Sequence, residues 1–154
     1  MVSIEDIGRA QKEWGDGIVA ISKAHADGED YVGVAANHID TMYGYQIGPV
    51  MFKPTLAAID QFRPTFESAL SYFVASNNAC PEDEGFAIKG WKEVRFENHK
   101  VIIDGHRAFA MGNYFFTDEE GKEVKVEYTF GYIEDENANI RIQLHHSSMP
   151  ASTD

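Results

Sequence analysis

Ile140-Arg141-Ile142-Gln143-Leu144-His145-His146-Ser147-Ser148-Met149-Pro150 closes the chain, and its alternation of apolar and polar residues is typical of a half-buried strand. Alternate side chains of a strand face opposite sides of the sheet, so one face is predicted to carry Ile140, Ile142, Leu144, His146 and Ser148. That face begins apolar and ends with an imidazole and a hydroxyl, which is how the wall of a pocket is built. The plainer alternative is a strand end that has simply become polar.

The segments before this strand divide into helices first and strands afterwards. Helices are predicted over residues 4–25, 30–43 and 55–74, and a short strand over residues 45–53. Ser3 and Asp6 form a capping box for the first helix, Thr55 is expected to cap the third, and Pro64 is expected to kink or break it. Further strands are predicted over residues 92–97, 102–103, 107–116 and 122–132.

This order of elements predicts an α+β fold in which a curved antiparallel sheet of four to six strands wraps over the N-terminal helices. The first helix presents an apolar face at helical spacing, formed by Ile7, Ala10, Trp14, Ile18 and Ile21. A sheet curved over that face would leave a cone with one open end. The sequence contains no internal repeat or linker, so residues 1–154 are expected to form a single domain.

The composition excludes several classes of partner. The formal net charge of −12 and the lack of a basic patch argue against binding to nucleic acid or to anionic membranes. No apolar run is long enough for a signal peptide or a membrane span, so a cytoplasmic location is expected. Cys80 is the single cysteine, which rules out a disulfide within the chain and fits a reducing compartment.

The histidines do not form a recognisable metal motif. Six are present, but none of them forms His-x-His on a strand or His-Glu-x-x-His on a helix. His145 and His146 are neighbours on a strand and therefore point in opposite directions. No cofactor is expected, and a catalytic zinc ion, which needs about three protein ligands, is the alternative.

Several sequence blocks carry a resemblance to a known family. Phe52-Lys53-Pro54-Thr55, Ser71-Tyr72-Phe73, Gly112-Asn113-Tyr114-Phe115-Phe116 and the closing stretch are the clearest of six blocks that occur in the family's order. Together the six resemble the iota class of carbonic anhydrases, within the superfamily that is named after nuclear transport factor 2 (NTF2) and that includes the association domain of calcium/calmodulin-dependent kinase. The resemblance implies a cone-shaped NTF2-like fold and a metal-independent, reversible hydration of carbon dioxide to bicarbonate.

The resemblance also implies a site made of threonine, tyrosine, histidine and serine side chains. Matched block by block, the first two are Thr55 and Tyr72, although the helix register could instead turn Ser71 or Phe73 inward. The histidine and serine lie two positions apart, which fits either His146 with Ser148 or His145 with Ser147. The face that continues Ile140, Ile142 and Leu144 selects His146 and Ser148. The predicted catalytic set is therefore His146, Ser148, Thr55 and Tyr72, with the histidine relaying a proton near its usual pKa of about 6.5.

Two other functions are compatible with the same fold. One is a non-catalytic module for oligomerisation or for binding a small ligand. The other is isomerase or cyclase chemistry on a larger ligand, with Glu127 or Asp60 as its carboxylate, which would require a large pocket. Whatever the function, a homodimer or larger homo-oligomer is expected through the outer face of the sheet, because Phe109 and Met111 alternate with Ala108 and Ala110.

Overall fold

The computed structural model describes residues 1–153 and consists of three α-helices packed against one curved sheet of five strands. The helices are α1 (Ile4–Ala26), α2 (Tyr31–Met42) and α3 (Phe66–Val74), with a short 3₁₀ turn at Phe86–Ile88. The strands are β1 (Met51–Lys53), β2 (Glu93–Asp104), β3 (Arg107–Thr117), β4 (Glu123–Glu134) and β5 (Ile140–Ser148). The α+β prediction is confirmed.

The first helix forms for the reasons that its sequence indicated. The Ser3 hydroxyl accepts the backbone N–H of Asp6, and the Asp6 carboxylate accepts the backbone N–H of Ser3, so both predicted bonds of the capping box are present. The predicted apolar face lies against the concave side of the sheet and is buried there: Ile7, Ala10, Trp14, Ile18 and Ile21. The core of the protein therefore lies between α1 and the sheet.

The sheet has the order β1-β5-β4-β3-β2, and one of its pairings differs from the prediction. β2, β3, β4 and β5 pair antiparallel as expected, but β1 runs parallel to β5 at the edge of the sheet, with Lys53 opposite His146. β1 is shorter than predicted. β2 is one continuous strand with an irregularity between Asn98 and Lys100, rather than two separate strands.

The third helix is also shorter than predicted. It begins after Thr65, whose side chain accepts the backbone N–H of Ser68. The prediction that Thr55 caps it is wrong, because residues 54–65 form an irregular segment in which Phe62 is 71% exposed. Pro64 explains the difference, since proline in a helix interior removes a hydrogen bond and clashes with the preceding turn.

Candidate active site

The closing strand contains a bulge that reverses the faces predicted for its polar end. Gly131 of β4 pairs with Leu144, whereas the next residue, Tyr132, pairs with Ile142, so Gln143 has no partner across the ladder. An extra residue in one strand turns every later side chain to the opposite face. As a result His145 and Ser147 point into the protein, where they are 2% and 1% exposed.

The prediction that His146 and Ser148 line the cavity is therefore contradicted by the structure. His146 is exposed on the outer face of the sheet, and the Ser148 hydroxyl donates to Oε1 of Glu127 there, at 2.7 Å. The sequence contained one signal of the irregularity: Gly131 in the middle of a strand. A Cβ at that position would lie 2.9 Å from the Cβ of Leu144, and an isolated glycine in a strand often marks a bulge or a close approach.

Thr55 reaches the site from the edge strand rather than from a helix cap. β1 lies beside β5, and Thr55 follows it by two residues, which brings its Oγ1 to 2.5 Å from Oγ of Ser147. Lys53 Nζ donates to the carbonyl oxygen of Ser147 at 3.3 Å and ties the two segments together. Phe52 stacks on the His145 ring, with the centroids 4.8 Å apart.

Tyr72 is the residue of α3 that turns its polar group towards the site. Its hydroxyl accepts the backbone N–H of Leu56 at 3.3 Å. Burial raises the pKa of Tyr72, and hydrogen bonds with Leu56 and Thr55 oppose that rise only in part, so the phenol stays protonated. The neighbours of Tyr72 are also buried. Ser71, however, donates to the Asp83 carboxylate on the far side of the helix, while Phe73 contributes only its ring to the cavity.

Sequence reasoning missed two tyrosines of this site as functional groups. The Tyr114 hydroxyl on β3 lies 3.0 Å from Nε2 of His145 and 2.5 Å from Oγ of Ser147. The Tyr43 hydroxyl, at the end of α2, lies 2.8 Å from Nδ1 of His145 and accepts the indole N–H of Trp14 at 3.0 Å. Tyr114 belongs to one of the blocks that carried the resemblance, but an inward tyrosine on a strand looks like an ordinary core residue.

The ring of His145 is enclosed on all sides. Phe130 stacks on it with the centroids 4.0 Å apart, and each ring nitrogen has a tyrosine hydroxyl as its partner. Burial, and to a lesser extent the nearby His146 and His38, hold the pKa of His145 well below its usual value. The imidazole is therefore neutral at physiological pH and does not store a proton.

These side chains surround a small cavity, referred to below as the site cavity. Its volume is about 10 Å³, roughly the room of one water molecule, and it is lined by Trp14, Phe52, Pro54, Thr55, Tyr72, Phe73, Phe86, Tyr114, His145 and Ser147. Tyr72 and Phe86 also line an adjoining cleft of about 180 Å³, the outer cleft, which opens beside Glu82, Glu84 and Lys89. Taken together, the site cavity and the outer cleft suit a molecule of a few atoms and are too small for a steroid-sized ligand.

The two carboxylates considered for isomerase or cyclase chemistry lie outside the site cavity. Glu127 points to the outer face, where it accepts the Ser148 hydroxyl, and Asp60 is exposed on the 54–65 segment. Within residues 1–153, no three or more His, Cys, Asp or Glu side chains are grouped so that they could hold a metal ion. His38 lies in the core between Trp14 and Phe73.

Comparison with known proteins identifies the family of this chain. A family model described as "Metal-independent carbonic anhydrase" matches residues 5–149. A protein of that name from Nostoc sp. (strain PCC 7120 / SAG 25.82 / UTEX 2576) is 45% identical over 144 residues, which cover 92% of this chain and 70% of that protein. The crystal structure of the iota-carbonic anhydrase from a cyanobacterium, complexed with bicarbonate, is 40% identical, covers 99% of this chain and 94% of its own, and has a TM-score of 0.96.

More distant structures share the fold alone. A Xanthomonas campestris protein named for the association domain of calcium/calmodulin-dependent protein kinase II is 19% identical, with a TM-score of 0.66 over 99% of this chain and 91% of its own. Proteins named NTF2-like are similar in fold at 12% and 13% identity. The predicted resemblance and the absence of a cofactor agree with the description of the matched family, and the chain belongs to the metal-independent carbonic anhydrases.

Proposed function

We propose that this protein catalyses the reversible hydration of carbon dioxide to bicarbonate at the site cavity, through Thr55, Tyr72, Tyr114, His145 and Ser147. The observation that carries the proposal is the contact between Thr55 and Ser147, whose hydroxyl oxygens lie 2.5 Å apart at the end of a hydrogen-bonded chain that leads to a neutral histidine. His145 and Ser147 replace His146 and Ser148 in the predicted set, whereas Thr55 and Tyr72 are kept.

The chemistry of the cavity suits the two forms of the substrate. Carbon dioxide is apolar and is received by the rings of Phe52, Phe73 and Phe86, which also keep bulk water out. Bicarbonate is planar and carries oxygen atoms that accept hydrogen bonds, so the hydroxyls of Thr55 and Tyr72 can bind it at the opening towards the outer cleft. The hydroxyl donors are fixed before the reaction, and such donors stabilise the charge that develops on oxygen as water attacks.

Proton movement in this site differs from the expectation of a histidine that titrates near neutral pH. Because His145 is neutral and both of its nitrogens are hydrogen-bonded, a proton passes through it only by a concerted shift along the hydroxyl chain. Zinc lowers the pKa of bound water to about 7, an effect that hydroxyl donors do not reproduce. We therefore expect slower turnover than a zinc carbonic anhydrase shows.

The outer cleft provides the route between the site cavity and solvent. The carboxylate of Asp83 is paired with Arg63, and that of Glu82 accepts the backbone N–H groups of Ala58, Ile59 and Asp60. These bonds fix the wall of the cleft and occupy both carboxylates. Glu84 and Lys89 are the remaining charged side chains on this path, and Lys89 would attract the departing bicarbonate.

The remaining parts of the proposal concern the whole chain. We propose that residues 1–154 act as one domain, since a continuous hydrophobic core joins the helices to the sheet. We also propose a homodimer or larger homo-oligomer through the outer face of the sheet, where Phe109 and Met111 are 43% and 53% exposed.

None of the helices in residues 1–153 combines the length and apolar character that a membrane crossing requires. The buried free thiol of Cys80 fits the proposed cytoplasmic location.

Stopped-flow measurement of carbon dioxide hydration tests the proposed function. The purified protein should accelerate hydration equally before and after exhaustive treatment with a chelator, and added zinc should not increase the rate. A rate equal to that of buffer under all three conditions would contradict the proposal, and a rate that depends on zinc would contradict its metal-independent form.

A further inference from the structure

We propose that Trp14 and Tyr43 are positioning residues that determine which ring nitrogen of His145 carries its hydrogen. Through that choice they make the site hydroxyls present hydrogens, rather than lone pairs, to the substrate. The consequence for bicarbonate rests on the proposed function, whereas the state of His145 can be measured independently of any activity.

The indole N–H of Trp14 can donate a hydrogen bond and can never accept one. Trp14 Nε1 donates to the Tyr43 hydroxyl oxygen at 3.0 Å, and the two residues are 2% and 1% exposed. The hydrogen of Tyr43 therefore cannot point towards Trp14. Within residues 1–153, the other polar atom in hydrogen-bond contact with this hydroxyl is Nδ1 of His145 at 2.8 Å, so Tyr43 donates to Nδ1.

A neutral histidine that accepts at Nδ1 must carry its hydrogen on Nε2. Nε2 of His145 then donates to the hydroxyl oxygen of Tyr114, 3.0 Å away. Having accepted that hydrogen bond, Tyr114 directs its own hydrogen to Oγ of Ser147 at 2.5 Å. The direction that Trp14 imposes is thus passed from one side of the imidazole to the other.

The same direction continues to the site cavity. Ser147 accepts from Tyr114 and keeps its own hydrogen, which can be donated to Oγ1 of Thr55 at 2.5 Å or to the carbonyl oxygen of Glu127 at 3.2 Å. We assign it to Thr55, the nearer of the two oxygens. The hydroxyl of Thr55 then keeps its hydrogen for Tyr72 or for a ligand. The Tyr72 hydroxyl accepts the N–H of Leu56 and keeps its own hydrogen, so Thr55 and Tyr72 can both donate to an anion in the cavity.

The opposite tautomer of His145 would reverse each of these bonds. With the hydrogen on Nδ1, Tyr114 would donate to Nε2, Ser147 to Tyr114, and Thr55 to Ser147. The lone pairs of Thr55 would then face the cavity and repel the oxygen atoms of an anion. The hydrogen of Tyr43 would also be buried without an acceptor, which is costly.

The tautomer of His145 can be read directly by nuclear magnetic resonance on protein with ¹⁵N-labelled histidine, with the signals of His145 assigned through their loss in His145→Gln. The wild-type spectrum should show a protonated Nε2 and an unprotonated Nδ1. Tyr43→Phe removes the donor to Nδ1, so the two tautomers should coexist and the KM for bicarbonate should rise about tenfold, with a smaller change in kcat. Trp14→Phe keeps a ring but removes the indole donor, and it should shift both measurements in the same direction.

Tyr128→Phe is the matched control. Tyr128 is 2% exposed, and its ring centroid lies 5.1 Å from that of Tyr114, but its hydroxyl donates to Asn98 and is not part of the chain. This variant should leave the His145 tautomer and the KM unchanged, although it loses a buried tyrosine hydroxyl from the same core.

The possible outcomes separate this inference from the proposed function. A wild-type His145 with its hydrogen on Nδ1, or a Tyr43→Phe protein that keeps the pure Nε2–H form and an unchanged KM, would overturn the inference. If Trp14→Phe does not fold, the wild-type spectrum and Tyr43→Phe decide the matter. An Nε2–H form that becomes mixed in Tyr43→Phe, in a protein without hydration activity, would support the positioning role and refute the proposed function.

Discussion

Thr55 Oγ1 and Ser147 Oγ lie 2.5 Å apart, although 92 positions separate the two residues in the chain. The contact exists because β1 runs parallel to β5 at the edge of the sheet and delivers Thr55 to the point where the bulged end of β5 turns Ser147 inward. No local turn or helix brings these two residues together. The site is therefore a product of how the two strands meet.

We predict that the stability of the protein falls as the pH is lowered below about 6.5, because two histidines are buried in the neutral form. Burial lowers the pKa of His38 from 6.5 to about 4 and holds that of His145 well below 6.5. A histidine whose pKa is lower in the folded than in the unfolded protein makes its full contribution to stability at pH values above the unfolded pKa. That contribution is lost as the pH falls from the unfolded pKa towards the folded pKa. Each histidine should therefore cost about 1.4 kcal/mol of unfolding free energy between pH 7.5 and 5.5.

Urea unfolding at these two pH values measures the effect. His38→Leu should reduce the pH-dependent loss by about half. His99→Gln, at an exposed position, should leave the loss unchanged. If wild-type protein and His38→Leu lose the same unfolding free energy between these pH values, His38 does not cause the loss.

We predict a large loss of stability when the buried ion pair behind the site is broken. Arg63 and Asp83 are 0% and 3% exposed in their side chains and are joined by two hydrogen bonds of 2.7 Å. Asp83→Ala would leave the guanidinium buried without its charge partner, which should cost about 3–5 kcal/mol of unfolding free energy. The exposed pair of Arg95 and Glu123 is the comparison, because Glu123→Ala should cost less than about 1 kcal/mol.

Denaturant unfolding of the two variants provides the measurement. Similar losses in Asp83→Ala and Glu123→Ala would contradict the role given to burial. Because Arg63 lies between Thr55 and α3 in the sequence, Asp83→Ala should also loosen the wall of the outer cleft and reduce hydration activity.

We predict a dimer or larger assembly that is held together by the outer face of the sheet. Phe109 and Met111 are both exposed there, and Phe109 pairs across the ladder with Ile102, which is 54% exposed. Solution scattering at micromolar concentration should give at least twice the mass of the chain. Replacement of Phe109 and Met111 by serine should reduce this to a monomer, since it removes apolar area from the interface.

Met149→Ser is the control for that experiment, because Met149 is 47% exposed but lies beyond the end of β5. It should leave the assembly intact. A monomeric wild-type protein at the same concentration would rule out the proposed interface.

Local sequence signals predicted most of the fold. The capping box of Ser3 and Asp6 and the apolar spacing of α1 specify a helix through short-range bonds and one buried stripe, so they could be recognised without tertiary information. The predicted limits of the long strands β3 and β4 differ from the observed ones by no more than two residues. The resemblance to the family also supplied Thr55 and Tyr72.

Other features depended on contacts that a pattern along the chain does not contain. Strict alternation gives the wrong face after Gln143, because a bulge is a mismatch between two strands and Gly131 on the partner strand was its one visible trace. The parallel pairing of β1 and the place of Thr55 in a loop likewise follow from packing rather than from local preference. Tyr43 and Tyr114 could not be distinguished from core residues until their hydroxyls were seen to meet His145.

The hydration rates of Ser147→Ala and Ser148→Ala test the central claim most directly. The two serines are neighbours, and each variant loses one hydroxyl, but Ser147 faces Thr55 and Tyr114 whereas Ser148 faces Glu127 on the outer side. In chelator-treated stopped-flow assays, Ser147→Ala should lower kcat/KM for carbon dioxide at least about tenfold, which is roughly 1.4 kcal/mol of barrier, and Ser148→Ala should stay within about twofold of wild type. A loss in Ser148→Ala with normal activity in Ser147→Ala would contradict the account.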